Sequence, residues 1–317
     1  MRLGKNPQKN KSNLIDYGEL RIIMPFYFNS KDSYFDQSLQ VLKKCLDSII
    51  ESSQDIDLRF TLIINSAEHS VLSFVDGYNL DKIVLNRKNE GKLFSCINEA
   101  RNCKEQFVGI IDSDVIFRKG WFDEALTIFN ISRNIGVVSL CPQPNLAFYH
   151  NNSLFGSFLL LKLKIGNFVT KEYLELFERG VGNRNIYSGN INWKRRQMMI
   201  SDGTAKCIIG GGHFASIYRT EVFKKLEPKK INFVFKNGDE NNHLDGPIDK
   251  AGYFRLSTLE PFVYHMGNVY EDYIEGFNNL NYKGVKIDQK QPKRTMLTNY
   301  VFGYFISNIL KRILKSW

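Results

Sequence analysis

Apolar and polar residues follow two different periods along the first half of the chain, and each period predicts a type of element. Continuous apolar runs bounded by polar or turn-forming residues predict buried strands over 20–27, 60–65, 82–85, 107–111 and 136–141. Apolar residues three and four positions apart predict helices over 35–52, 91–102 and 121–129. This alternation of strand and helix predicts an α/β fold with a doubly wound, mostly parallel sheet flanked by helices.

The pattern changes in the second half and suggests where the chain divides. It loosens between Pro142 and Lys206, then returns to strand and helix through a glycine-rich turn at 210–212. The last residues, Met296 to Trp317, have the spacing of an amphipathic helix. We therefore expect a disordered tail, a first half, an insertion, a second half and a C-terminal helix, with the bounds 1–19, 20–141, 142–206, 207–290 and 291–317.

Composition and charge narrow the possible partners. Hydrophobic residues make up 43% of the 317 residues, enough for a sizeable core. The formal net charge of +10 favours an anionic partner such as nucleic acid, a nucleotide diphosphate or an anionic membrane. No zinc-ligand pairs, ribonucleoprotein strand or basic leucine zipper is present in the sequence, so we expect no nucleic-acid partner.

The cysteines and the N-terminal residues bear on the compartment. Five cysteines without a Cys-x-x-Cys pair are typical of buried free thiols in a reducing compartment. The polar stretch from Met1 to Leu20 lacks the apolar centre of a signal peptide. We expect a cytoplasmic chain, with peripheral attachment to the cytosolic face of a membrane as an open alternative.

Two carboxylates at the end of a predicted strand are the main candidate for chemistry. Asp112 and Asp114 follow the apolar run 107–111, and open α/β sheets bind ligands beyond the carboxyl ends of their strands. Two ionised carboxylates this close repel each other unless a cation lies between them. Oxygen ligands of this kind suit Mg²⁺ or Mn²⁺ that also holds a diphosphate. A second Asp-x-Asp, Asp55 to Asp57, lies in a polar stretch with no strand before it.

Several motifs occur in a characteristic order along 20–141 and 207–268. They are Met24-Pro25-Phe26-Tyr27, Leu46 to Ile50, Asn89-Glu90-Gly91-Lys92 followed by Asn98, Asp112-Ser113-Asp114, Gly210-Gly211-Gly212 and Asp239-Glu240. In this order and spacing the chain resembles an inverting nucleotide-sugar glycosyltransferase of the GT-A fold, in the large family-2-like group. The resemblance implies a GT-A sheet with an inserted acceptor region and a C-terminal helical tail.

The resemblance also implies roles for individual residues. It places the nucleotide-sugar donor against Pro25, Tyr27, Asn65, Asn89, Gly91, Lys92, Asp112, Ser113, Gly211 and Gly212. It implies Mn²⁺ or Mg²⁺ as cofactor, with Asp112, Asp114 and His265 as ligands; His213 is a competing ligand. The family usually has an aspartate pair on the uracil ring, and here Asn65-Ser66 stands in its place. An amide can still pair with a base edge because it offers both a donor and an acceptor.

Glycosyl transfer also needs a carboxylate to accept the proton of the acceptor hydroxyl. The acidic pair is Asp-Glu, where the family more often has Glu-Asp, so Asp239, Glu240 and Asp245 all remain candidate bases. One carboxylate acting as a base implies inversion of the anomeric carbon in a single displacement.

These observations predict a metal-dependent, inverting hexosyl- or N-acetylhexosaminyltransferase. Its donor is a nucleotide-diphosphate sugar, with UDP as the expected nucleotide, and its acceptor is a glycan or a lipid-linked molecule of cell-surface polysaccharide assembly. A non-catalytic nucleotide- or glycan-binding protein of the same fold and a nucleotidyltransferase are the alternatives. The C-terminal helix suits an anionic membrane surface, or it docks on the protein itself.

Overall fold

A computed structural model describes residues 17–65, 68–203, 205–227, 239–278, 280 and 295–316. Most of the predicted tail, up to residue 16, and Ser66 lie outside these ranges. The strands are β1 (Leu20–Tyr27), β2 (Leu58–Asn65), β3 (Lys82–Asn86), β4 (Phe107–Ile111), β5 (Val115–Phe117), β6 (Ile135–Ser139), β7 (Leu163–Gly166), β8 (Gln197–Ser201), β9 (Lys206–Ile209), β10 (Ala215–Arg219), β11 (Phe254–Ser257) and β12 (Val263–His265).

Helices cover both faces of the sheet formed by these strands. They are α1 (Ser38–Ser52), α2 (His69–Val75), α3 (Lys92–Asn102), α4 (Trp121–Phe129), α5 (Asn152–Phe155), α6 (Lys171–Gly180), α7 (Thr220–Phe223), α8 (Gly246–Lys250) and α9 (Tyr300–Ser316). A short π-helix, Asn241–Asp245, leads into α8. The strands and helices predicted in the first half are confirmed to within a few residues. Helix α2 was not predicted.

The main sheet has the order β3-β2-β1-β4-β10-β6-β11-β9-β8-β7. Strands β3, β2, β1 and β4 are parallel, and β6 is parallel to β11. Strand β10 lies between β4 and β6 and is antiparallel to both. The predicted α/β fold with a mostly parallel sheet is therefore confirmed. The reversed strand matters for the site because it brings the glycine-rich turn before β10 to the edge where β4 ends.

The insertion predicted over 142–206 contributes to this sheet. Its strands β7 and β8 pair with each other, and β8 pairs with β9. These strands are only four and five residues long, and polar loops separate them. A pattern so often interrupted has no clear period in the sequence, which explains why no strand was predicted there.

A second, two-stranded sheet positions the aspartate turn. In it β5 runs antiparallel to β12, with Val115 opposite His265. The Met266 N–H also donates to the Asp114 carbonyl oxygen, at 2.7 Å. The ladder thus brings His265 next to Asp114, although 150 residues separate them in sequence.

The structure confirms the prediction that all five cysteines are buried free thiols. No helix among the described residues is long and apolar enough to cross a bilayer.

Candidate active site

Asp112, Ser113 and Asp114 form the turn between β4 and β5, and the backbone holds this turn at both ends. The Asp112 N–H donates to the Phe214 carbonyl oxygen at 2.7 Å, which ties it to the segment before β10. Asp114 is held by β12 as described above. Because β4 is buried along its whole length, the first carboxylate emerges where the strand reaches the sheet edge.

His265 presents one ring nitrogen to the aspartates. Its Nδ1 lies 3.1 Å from the Gly180 carbonyl oxygen, which can only accept, so Nδ1 carries the hydrogen. In the neutral ring the lone pair is then on Nε2, 3.4 Å from Asp114 Oδ2. A carbonyl that orients a histidine in this way is a common supporting contact of metal-binding histidines.

Asp112, Asp114 and His265 fit a divalent cation. Each offers one ligand atom, and these atoms lie within 4.8 Å of one another. Within the described ranges, the buried Oδ1 of Asp114 has no hydrogen-bond partner. Burial, opposed by His265 and reinforced by Asp112, raises the pKa of Asp114 to about 6. A bound cation would offset that cost, and two carboxylates with an imidazole suit Mn²⁺ or Mg²⁺.

Lys92 lies against the same aspartate turn. Its ammonium forms an ion pair with Asp112, and its Nζ donates to the His213 carbonyl oxygen at 3.0 Å. Burial lowers the pKa of Lys92, but the Asp112 carboxylate outweighs that effect and the pKa is raised. A charged lysine at the first position of α3 is thus held directly beside Asp112.

The three candidate bases occupy different environments. Asp245 is fully buried and forms an ion pair with the buried Arg255. Asp239 and Glu240 are partly exposed at the start of the π-helix. Glu240 lines a small cavity together with Lys92 and His213. Burial leaves Asp245 no surface for an acceptor hydroxyl, whereas Glu240 is partly exposed and lines the same cavity as Lys92, the partner of Asp112.

Comparison with known proteins agrees with this geometry. The sequence model of the family described as "Glycosyltransferase like family 2" matches residues 33–265. The chain belongs to this family. No curated protein matches the chain by sequence. Together with the sheet order, membership confirms the predicted GT-A fold.

Solved structures were also compared with this family 2 chain. Residues 1–349 of TarS from S. aureus are 14% identical to it, with a TM-score of 0.42 over 78% of this chain and 59% of that one. A mannosyltransferase from Pyrobaculum calidifontis, PcManGT, in complex with GDP-Man and Mn²⁺, is 14% identical, with a TM-score of 0.43 over 76% of this chain and 55% of that one. The chain therefore spans less than two thirds of either structure.

Asn65 of this family 2 chain, at the end of β2, is buried. Its side-chain oxygen accepts from Asn86 Nδ2 at 2.9 Å, and more distantly from the Glu90 N–H and the Ser95 hydroxyl, both at 3.4 Å. These bonds hold the loop before α3 against β2. Asn65 therefore has a structural role that the sequence motif did not reveal.

Asn89 and Gly91 shape that loop. Gly91 has a φ of +77°, which favours glycine, and its N–H donates to Asn89 Oδ1 at 2.9 Å.

Pro25 and Tyr27 lie at the end of β1. Pro25 lies beyond Ile23, where the β1–β4 ladder ends and a missing N–H is tolerated. Tyr27 packs edge-on against Phe35 at 5.3 Å between ring centroids.

The glycine turn packs tightly against neighbouring residues. A Cβ on Gly210 would lie 2.5 Å from the Gln143 carbonyl oxygen, and one on Gly212 would overlap the Gln143 side chain. Gly211 accepts a hydrogen bond from Arg255 Nη2 at 2.6 Å. The turn requires glycine because the chain passes too close to Gln143 and to the Leu256 carbonyl oxygen for a side chain.

Arg255 and His213 were not expected at the site in these roles. Arg255 bridges Asp245 and the glycine turn, and His213 Nε2 lies 2.9 Å from Asp245 Oδ2. Burial, helped by the charges of Arg255 and Lys92, lowers the pKa of His213 to about 3. His213 thus lies beside Asp245 and does not belong to the cluster of Asp112, Asp114 and His265, which argues against it as a metal ligand. The available signal was an arginine inside the apolar run of β11, where a buried charge needs a partner.

Proposed function

We propose that the protein is a metal-dependent, inverting glycosyltransferase that uses a nucleotide-diphosphate sugar. The observation that carries this proposal is the cluster of Asp112, Asp114 and His265 where β4 ends, with Lys92 paired to Asp112. Family membership supports the reaction class. The cluster supports dependence on Mn²⁺ or Mg²⁺.

The chain's own residues would divide the work of sugar transfer. Asp112, Asp114 and His265 hold the cation, which when bound neutralises charge on the diphosphate as a Lewis acid. Lys92 adds a positive charge beside the leaving group. Asn89 and Gly91 shape the loop that leads to Lys92, and Pro25, Tyr27, Asn65, Ser113, Gly211 and Gly212 line or support the rest of the donor side.

Glu240 is our choice for the general base. It is partly exposed and lines a small cavity with Lys92, the partner of Asp112, and a carboxylate there can accept the proton of an attacking hydroxyl. Attack from the side opposite the diphosphate inverts the anomeric carbon. Asp239, one residue earlier, is the second candidate, and burial argues against Asp245.

For the substrates we propose a UDP-sugar donor and a glycan or lipid-linked acceptor. A hexosyl or N-acetylhexosaminyl group would then be added to cell-surface polysaccharide by a protein in the cytoplasm or on the cytosolic side of a membrane. These finer assignments rest on the motif resemblance described above and on the family.

Calorimetric titration tests the donor site. UDP, GDP, CDP and dTDP are titrated with and without Mn²⁺ into wild type, Asp114→Asn and, as a matched control, Asp55→Asn. Asp55 belongs to the second Asp-x-Asp and is exposed away from the cluster. We expect one nucleotide to bind, with Mn²⁺ required and with Asp114→Asn alone weakening it. Binding that ignores both the metal and Asp114 would overturn the metal-dependent mechanism and favour a non-catalytic binding protein.

A second test separates binding from chemistry. Glu240→Gln keeps the size of the side chain and removes its basicity, so nucleotide affinity should stay within about twofold while sugar transfer or donor hydrolysis falls by about 100-fold or more. Asp239→Asn is the matched control. If Asp239→Asn loses the activity and Glu240→Gln keeps it, the roles of the two residues are reversed.

A further inference from the structure

The C-terminal helix α9 docks on the protein through a face that combines small residues with the buried Leu314 and the partly buried Ile306 and Leu310. Gly303 and Ser307 are buried on this face. A Cβ on Gly303 would overlap the Asn152 carbonyl oxygen, and one on Gly156 would overlap that of Asn299. Ser307 Oγ donates to Asn152 Oδ1 at 3.1 Å, and near the other end Arg196 donates to the Leu314 carbonyl oxygen at 2.7 Å. The helix is therefore held closely along its length, with its orientation about its axis determined.

This orientation leaves a second set of large apolar side chains pointing outward. On the opposite face the apolar residues are exposed, with Phe305 at 61% and Ile309 at 53%; the others are Val301, Phe302 and Ile313. A helix that docks on its own protein normally buries the apolar stripe and exposes the small polar one. α9 does bury Leu314 and packs Ile306 and Leu310 against the core, yet its outer face is apolar as well, so docking on the protein's own body does not account for the exposed stripe.

A neighbouring segment extends the exposed apolar surface. Ser157 forms a β-bridge with Thr298, just before α9. Beside this bridge Phe158 and Leu161 are 70% and 83% exposed, and Leu297 is 83% exposed. We call these three residues and the exposed stripe of α9 the apolar face. A continuous exposed apolar surface of this kind marks an interaction site.

The charges next to the apolar face are of one sign. Residues 295–316 contain Lys311, Arg312 and Lys315 and no acidic residue, and the segment 158–166 contains Lys162 and Lys164 and no acidic residue. A second copy of the chain would bring the same positive charges opposite these, which opposes a symmetric dimer through this face. An anionic lipid surface matches both the apolar stripe and the basic residues.

We propose that the apolar face is a membrane-docking surface on which α9 lies in the plane of an anionic bilayer. Its aromatic and aliphatic side chains enter the boundary between headgroups and acyl chains, and its lysines and arginine contact lipid phosphates. The 17 residues of α9 do not form a membrane-spanning helix. Lying flat is the arrangement that buries the stripe while its basic end stays at the headgroups.

The docked helix is connected to the acceptor side of the candidate active site. Asn152, which contacts Gly303 and Ser307, donates through its N–H to Asp249 Oδ2 at 2.9 Å. Asp249 lies in α8, directly after the π-helix that begins next to Glu240. If the proposed glycosyl transfer holds, a bilayer on the apolar face suits a lipid-linked acceptor; the docking itself does not depend on that reaction.

Vesicle cosedimentation tests the docking. Wild type is incubated with vesicles of phosphatidylcholine alone and of phosphatidylcholine mixed with phosphatidylglycerol. Phe305→Ser/Ile309→Ser removes apolar side chains from the face, and Ile50→Ser/Leu85→Ser removes exposed ones elsewhere. Lys311→Gln/Lys315→Gln is compared with Lys224→Gln/Lys225→Gln. All of these side chains are exposed, so folding should be retained, which circular dichroism and thermal unfolding verify.

We expect wild type to partition onto anionic vesicles, and each variant of the face to lose roughly tenfold or more of that partitioning. The two control variants should match wild type, and added salt should weaken binding. Absence of wild-type sedimentation, or loss in the controls equal to that in the face variants, would overturn the proposal. So would a sedimentation-velocity dimer that Phe305→Ser/Ile309→Ser dissociates, since a second copy would then cover the face. Nucleotide titration of the same variants shows whether the donor site is intact, which keeps this proposal separate from that of sugar transfer.

Discussion

At the scale of single residues, Gly180 determines where His265 lies. It is the last residue of α6, and a Cβ there would stand 2.5 Å from the His265 carbonyl oxygen and 3.5 Å from its Cβ. Because Gly180 ends the helix, its carbonyl oxygen lacks a partner within α6 and orients the His265 ring. The geometry of the candidate metal site therefore depends on a residue that carries no functional group.

We expect Gly180→Ala to weaken Mn²⁺ binding by roughly 10- to 100-fold, the usual cost of disturbing a residue that supports a metal ligand. The alanine would displace His265 from Asp114 without removing any ligand. Calorimetric Mn²⁺ titration measures the effect. Gly189→Ala is the control, because a Cβ there meets nothing within 4 Å. Equal affinities in wild type and Gly180→Ala would show that His265 is not a ligand.

His213 should make the protein sensitive to acid. Its pKa is about 3 in the folded chain against 6.5 ordinarily, chiefly because of burial. Between these values the unfolded chain binds a proton that the folded chain does not, so the stabilisation present above pH 6.5 is lost as the pH falls toward 3. The slope from this residue is about 1.4 kcal/mol per pH unit.

Urea unfolding between pH 7 and pH 4 checks this expectation. His213→Gln keeps a polar side chain of similar size beside Asp245 but does not titrate, so its free energy of unfolding should fall less steeply with falling pH than that of wild type. The control is His69→Gln, whose ring is exposed at the start of α2 and which should follow wild type. Parallel curves for wild type and His213→Gln would contradict the expectation.

At the scale of elements, α9 shows how packing reverses an intrinsic preference. In an isolated helix, replacing glycine by alanine stabilises by about 1 kcal/mol. At Gly303 the added Cβ would overlap the Asn152 carbonyl oxygen. We expect Gly303→Ala to lower the melting temperature and to increase proteolytic cleavage around residues 295–316.

Gly77→Ala is the matched control for this prediction, because the nearest atom to a Cβ there is 3.8 Å away, at an ordinary contact distance. Thermal unfolding and limited proteolysis of both variants supply the comparison. A Gly303→Ala variant that is as stable as wild type would mean that α9 does not dock through its small face.

At the scale of the whole molecule, the Arg255–Asp245 ion pair joins three structural elements. Arg255 comes from β11, Asp245 from the π-helix, and Gly211 from the turn between β9 and β10. Both charged side chains are fully buried. Removing one partner leaves the other charge in the core without compensation, whereas removing both does not.

We expect Arg255→Leu to lower the free energy of unfolding by about 3–5 kcal/mol, and Arg255→Leu/Asp245→Leu to recover part of that loss. Urea unfolding of wild type, both single variants and the double variant completes a double-mutant cycle. Additive single effects would show that the two residues do not interact in solution.

The sequence by itself determined the elements of the first half and the aspartate turn. Five apolar runs and three helical spacings located β1 to β4, β6, α1, α3 and α4, because the hydrophobic period depends on which side chains an element buries. It also placed Asp112 and Asp114 at a strand end, since that position is a local property. The short strands of residues 163–201 were not predictable because four or five residues cannot establish a period.

Only the tertiary structure decided which distant residues meet. The hydrophobic pattern of the sequence shows that β10 is buried. It does not show that β10 runs antiparallel between β4 and β6. The sequence shows acidic residues. It does not show that Asp245 is buried in an ion pair with Arg255 while Glu240 is partly exposed. It shows an apolar stripe on α9 but not that the opposite face docks. Burial pattern is encoded locally, whereas the choice of partner depends on contacts between residues far apart in the chain.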